Sequence, residues 1–148
     1  MSSSASTPAS GDRIALDTSV AIDVLSATAD ADALLSGASE HLLPAPVVGE
    51  LRYGALNSRK APENLVKVEA LVRRCVVLNV TVSTAEVYAQ LRLALRQKGK
   101  PIPENDLWIA ALCVEHQVPL AAADAHFDAI DDLMRWRFEP RRTKPDAP

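Results

Sequence analysis

Four acidic residues stand where a folded chain can bring carboxylates together: Asp17, Glu50, Asp106 and Asp124. Asp17 closes the apolar run at 14–16 and opens the helix-like stretch "TSVAIDVL". Asp124 closes "PLAAA" in the same way. An acid at either place can cap the following helix, because its side-chain oxygen accepts from an orphan backbone N–H. It can equally serve as a ligand at the end of a strand. Glu50 lies in a helical pattern at 46–57, and its neighbours three and four positions away are Pro46, Val47, Tyr53 and Gly54. None is basic, so no helical ion pair accounts for it; a solvent-facing Glu is the plain alternative. Asp106 falls in the first turn of "PENDLWIAALCVEH", where an acid favours the helix dipole. Its neighbours Ile102, Pro103, Ile109 and Ala110 offer no cation, and an unpaired carboxylate against an apolar face is costly.

Together the four say more than each alone. Converging carboxylates raise one another's pKa values unless a cation joins them. A set of carboxylates without His or Cys suits a hard ion such as Mg²⁺ or Mn²⁺. The chemistry that fits is metal-assisted hydrolysis of a phosphodiester, in which the metal activates water and offsets charge on the attacked phosphate. Asp23, six residues past Asp17, is the weaker candidate and reads as a surface acid. His126 reads as a polar surface or packing residue with a phosphate contact as the alternative. Arg52, Arg92, Arg96, Lys98 and Lys100 are either a solvated face or the lining of an RNA groove. Tyr53 and Trp108 read as core.

Alternating elements must position these acids. Strands are expected at 14–16, at "HLL", at "CVVLNV", at "PLAAA" and at "RWRFE". In the last of these Trp136 and Phe138 should pack while Arg135 and Arg137 face water. Helices are expected at 18–25, over "DADALLSG", at 46–57, at 62–74, from about 83 to Gly99, at 104–116 and, briefly, at 127–134. Ser83 with Glu86 makes a capping box, with Val82 and Val87 placed as its hydrophobic staple. This alternation predicts an α/β domain with a mostly parallel sheet covered on both faces. Ligands then bind outside the carboxyl ends of the strands, where Asp17 and Asp124 both fall.

The remaining features bound the answer. The chain has 148 residues, 48% of them hydrophobic, enough for one domain with a core. No apolar run reaches the roughly 20 residues of a membrane span. The formal net charge of −3 argues against coating nucleic acid by bulk charge. Residues 1–12 read as a flexible leader rather than a secretory signal, residues 13–140 as the folded domain and 141–148 as a flexible tail. Cys75 and Cys113 lack disulfide-framework or metal-ligand spacing and read as small buried hydrophobes, which fits a reducing cytoplasm.

The stretches "LDTSVAIDVL", "VVGELRYGAL", "PIPENDLWIAA" and "ADAHF" occur in that order with helix-sized gaps. In this the chain resembles the PIN-domain ribonucleases, and within them the VapC-type toxins of bacterial toxin–antitoxin pairs. The resemblance implies a three-layer α/β/α sandwich and a Mg²⁺- or Mn²⁺-dependent endoribonuclease. It implies Asp17 and Asp106 as main metal ligands, with Glu50 and Asp124 completing the acidic quartet. It also implies an RNA substrate, a cognate VapB-type antitoxin and a homodimer. One position departs from the pattern: the family often has Thr or Ser two residues before the last Asp, where this chain has Ala122. Thr18 or Ser19 is an alternative source of a hydroxyl. Two other readings compete. A catalytically inactive PIN-fold module that binds RNA or protein is compatible with Ala122. A phosphoacceptor receiver domain needs a Lys ending a late strand, which the chain lacks.

Overall fold

The computed structural model describes residues 13–27 and 29–137. The expected leader, the tail and Phe138 lie outside the described residues.

Short apolar runs form the strands because both of their faces are covered, so alternation is not needed. β1 (Arg13–Leu16) is buried from Ile14 onward. It is followed by α1 (Thr18–Leu25), α2 (Ala29–Ser36) and β2 (Glu40–Pro44). Pro44 and Pro46 flank the start of α3 (Ala45–Leu56), where a missing N–H costs nothing. Next come α4 (Ala61–Arg74), β3 (Val76–Leu78), α5 (Val82–Lys98), α6 (Glu104–His116), β4 (Leu120–Ala122), a 3₁₀ turn (Ala125–Ala129) and β5 (Arg135–Arg137).

All four strand pairings are parallel, in the order β3-β2-β1-β4-β5. β1 is therefore central, with β2 on one side and β4 on the other. Right-handed crossovers place α1 to α4 on one face and α5 with α6 on the other. The packing agrees, since α1 meets α2, α3 and α4 while α6 meets α5 and the 3₁₀ turn. α3 also meets α6. The core is continuous, with Ile14, Leu16, Leu42, Leu43, Val47, Leu112, Leu120 and Phe127 all but inaccessible.

Four sequence expectations need correction. The cap of α5 is Thr81 with Thr84, not Ser83 with Glu86. Val82 is 80% exposed and staples nothing. Thr84 prevails because its fully buried hydroxyl can also donate to Glu115 Oε1, a tertiary bond that local spacing does not encode. The helix expected at 127–134 is only the 3₁₀ turn Ala125–Ala129, which Ile130 leaves in an extended conformation. Arg135 does not face water. Its side chain is 10% exposed, bonds to Asp128 and the Ala122 carbonyl, and lies over the Phe127 ring. Tyr53, expected in the core, is 68% exposed.

Candidate functional site

β1 and β4 diverge in their onward connections, so the sheet has its switch point between them, where a crevice opens beyond the strand ends. Asp17 is the first residue past β1. Its backbone N–H donates to the Ala121 carbonyl at 3.0 Å, which ties it to the end of β4. Asp17 takes the N-cap position of α1, yet its side chain makes no capping bond. The carboxyl is thus not spent on the helix, although the residue is only 6% exposed. Burial pushes its pKa from 3.8 up to about 6. The Thr18 backbone N–H opposes that rise, while the fields of Asp106, Glu50 and Asp124 add to it. The other three acids therefore all lie near enough to act on Asp17.

Asp106, half-buried in the first turn of α6, is also pushed up, chiefly by burial. The hydrogen bond from His126 lowers it, and Asp124 and Glu50 raise it. Glu50 is exposed on α3, as the plain reading expects, but it reaches toward α6 and accepts a hydrogen bond from Asn105. Asp124 does cap: its Oδ1 accepts from the His126 backbone N–H at 2.8 Å. The bond turns the chain tightly, so that the His126 ring comes back over the acids. His126 Nδ1 lies 3.1 Å from Asp124 Oδ1 and 3.3 Å from Asp106 Oδ2.

Sequence reasoning undervalued His126 and passed over Asn105. The signal for His126 was present in "DAH", because an Asp accepting from the N–H two residues on is a common turn. For Asn105 the signal is only its place beside Asp106. Ala122, the departure from the family pattern, is fully buried at the end of β4, and its carbonyl accepts from Arg135. The turn at Asp124 is held by His126 and Arg135 instead of by a hydroxyl at that position.

The donor set fits a divalent cation. Asp106, Asp124 and His126 each offer an atom, all within 4.8 Å of one another. Among the described residues no Lys or Arg forms an ion pair with any of the four acids. The Thr18 hydroxyl, next to Asp17, is buried without a hydrogen-bond partner. Carboxylates and a hydroxyl are the hard oxygen donors that Mg²⁺ and Mn²⁺ prefer, and one imidazole is compatible with the latter.

The sheet order and the acidic edge describe an α/β domain with a candidate metal site at its switch point, and residues 14–133 match the PIN domain family. The chain belongs to that family. Within it, the chain is 32% identical over 127 residues to Ribonuclease VapC5 of Mycobacterium tuberculosis, covering 84% of this chain and 90% of that one. Ribonuclease VapC2 of Rickettsia felis is 32% identical over 74 residues, which is 50% of this chain and 55% of that protein. The solved structure of VapBC-5, a member of the VapBC family of toxin–antitoxin systems from Mycobacterium tuberculosis, aligns with a TM-score of 0.69 and 29% identity. It covers 88% of this chain and 99% of that one.

Proposed function

We propose that this protein is a divalent-metal-dependent endoribonuclease of the VapC type, a toxin neutralised by a VapB-type antitoxin. The observation that carries the reading is Asp17. It is a nearly inaccessible carboxyl at the end of the central strand, raised to about 6 by burial and by the fields of three further acids, and among the described residues no Lys or Arg pairs with it. A cation bound among the acids would offset that cost.

Asp17 and Asp106 would hold the metal, Mg²⁺ or Mn²⁺, with Glu50 and Asp124 completing the acidic set; of the four, Asp106 and Asp124 fall with His126 in the group whose donor atoms lie within 4.8 Å of one another. Bound there, the ion supplies positive charge against the phosphate and activates water. The protein's own groups fix the geometry. The Asp17 N–H bond to Ala121 locks the first ligand to the sheet. Asn105 holds Glu50 in place across α3 and α6. His126 Nδ1 sits between Asp106 and Asp124, 3.3 Å from the one and 3.1 Å from the other, and orients both carboxylates. In-line attack on the phosphodiester leaves a 5′-phosphate and a 3′-hydroxyl.

A second cleft, of about 310 Å³, borders Glu50 and is walled by Ile22, Leu25, Leu51 and Val68. Ile22 is 49% exposed for a side chain of its kind. An apolar antitoxin helix seated there would block the acids beside it. A homodimer acting in the cytoplasm completes the proposal. No helix among the described residues is long and apolar enough to cross a membrane.

Induced expression in a bacterium tests the proposal as a whole. The native chain should arrest growth, Asp17→Asn should not, and coexpression of the cognate antitoxin should restore growth. Arrest that persists with Asp17→Asn at equal protein levels would contradict it.

A further inference from the structure

Five basic residues are candidates for a nucleic-acid groove, and the structure separates them. Arg52 is paired with Glu69. Arg92 accepts company from Glu104 at 3.9 Å and donates to the Tyr88 hydroxyl at 2.9 Å. Lys98 donates to the Ala129 carbonyl at 2.7 Å and pairs with Asp131 at 2.8 Å, tying the end of α5 to the 3₁₀ turn. Arg96 and Lys100 remain. Both are exposed, and among the described residues neither has an ion pair.

These two cations border adjoining clefts. One, of about 400 Å³, is lined by Arg92, Arg96 and Glu104 over a floor of Leu95 and Leu107. The other, of about 290 Å³, is lined by Lys100, Ala125, His126 and Asp128. Pro101 and Ile102 line both and form the wall between them. His126 connects the second cleft to the acidic cluster. The acids lining the clefts are already engaged, Glu104 by Tyr88 and Arg92, and Asp128 by Arg135. The uncompensated charge is therefore positive, in a molecule of net charge −3.

The backbone fixes where Lys100 leaves the end of α5. Gly99 adopts φ 70° at the end of α5, and the N–H groups of Gly99 and Lys100 return to the Arg96 and Leu95 carbonyls at 3.0 Å. That closing motif holds the turn that carries Lys100, Pro101 and Ile102.

We infer that the paired clefts form a track for the single-stranded RNA flanking the scissile phosphate, with Arg96 and Lys100 contacting its phosphates and the Pro101/Ile102 wall separating successive nucleotides. The inference rests on the nuclease reading, since continuity with the acidic cluster through His126 gives the track its direction. Charge favours RNA over a second copy of this chain, because among the described residues the acids lining these clefts, Glu104 and Asp128, are already paired and leave the two cations for a phosphate backbone. Apolar contact in the clefts suits unstacked bases, and the cations suit the backbone.

The test compares Arg96→Ala/Lys100→Ala with a charge-matched control, Arg73→Ala/Arg74→Ala. The control residues precede β3 and lie at the opposite, amino-end edge of the sheet. Binding of a fluorescein-labelled single-stranded RNA of about ten nucleotides is read by anisotropy without divalent ions. The track variant should bind about tenfold more weakly, and its log–log salt slope should be shallower by about 1 or more, while the control matches the native chain. In cleavage assays the loss should appear in KM rather than kcat. Unchanged affinity and slope would overturn the track, as would an equal loss in the control. An altered sedimentation coefficient with unchanged RNA binding would do the same, and would make the face a contact between copies. Failure of the native chain to cleave RNA at all would count against the proposed function separately, because anisotropy reads the track without cleavage.

Discussion

Asp17 has an electrostatic cost that can be measured without any substrate. Its pKa rises from 3.8 to about 6 on folding, so its ionised form is disfavoured in the folded state. The associated stability is fully present below pH 3.8 and is lost as the pH rises through about 6. Above that range the loss is on the order of 3 kcal/mol. In EDTA at pH 7.5, Asp17→Asn should therefore raise the melting temperature by several degrees, and near pH 3.5 it should change it little. Added Mn²⁺ should stabilise the native chain but not the variant. A lower melting temperature for Asp17→Asn at pH 7.5 would show that the carboxylate is held by favourable contacts instead. At this scale the sequence exposed Asp17 and Asp124 because they end strand-like runs, and Glu50 and Asp106 because each lacked a basic helical neighbour. It concealed His126 because that side chain is brought into place by a turn, and a turn leaves only a two-residue trace.

The elements show where local pattern and tertiary packing part. Prolines and Gly99 marked the ends of α3 and α5 well, since their backbone preferences act within a residue or two. The cap of α5 was misplaced by two residues because Thr84 is chosen by a partner on α6, Glu115. β5 was legible as a strand, but the inward turn of Arg135 was not, because Asp128 and the Ala122 carbonyl approach it only once the sheet forms. That wedge steadies the turn bearing Asp124 and His126. Arg135→Ala should cost roughly 2 kcal/mol in urea denaturation, given a lost charge-assisted pair and a carbonyl left without its donor. It should also weaken Mn²⁺ binding severalfold by calorimetry. Unaltered Mn²⁺ affinity in a destabilised variant would confine Arg135 to a structural role.

For the whole molecule, the alternation of strands and helices was enough to expect a parallel sheet with two covered faces. Strand order was not legible, because it depends on which face each crossover takes. The order β3-β2-β1-β4-β5 sets Asp17 on the central strand beside Asp124, and α3 and α6 carry Glu50 and Asp106 to the same edge. Of the two cysteines expected to be buried, Cys113 is and Cys75 is only partly so. Cys113 is fully enclosed, and burial pushes Cys75 up to about 11, so neither is a ready nucleophile. The most direct measurement is cleavage of a labelled single-stranded RNA by purified native and Asp17→Asn protein, with Mg²⁺ or Mn²⁺ and with EDTA. Metal-dependent cutting that leaves 3′-hydroxyl ends, and that falls at least about a thousandfold in a folded Asp17→Asn protein, is the predicted result. Equal cutting by the variant, or cutting by the native chain that persists in EDTA, would contradict the account.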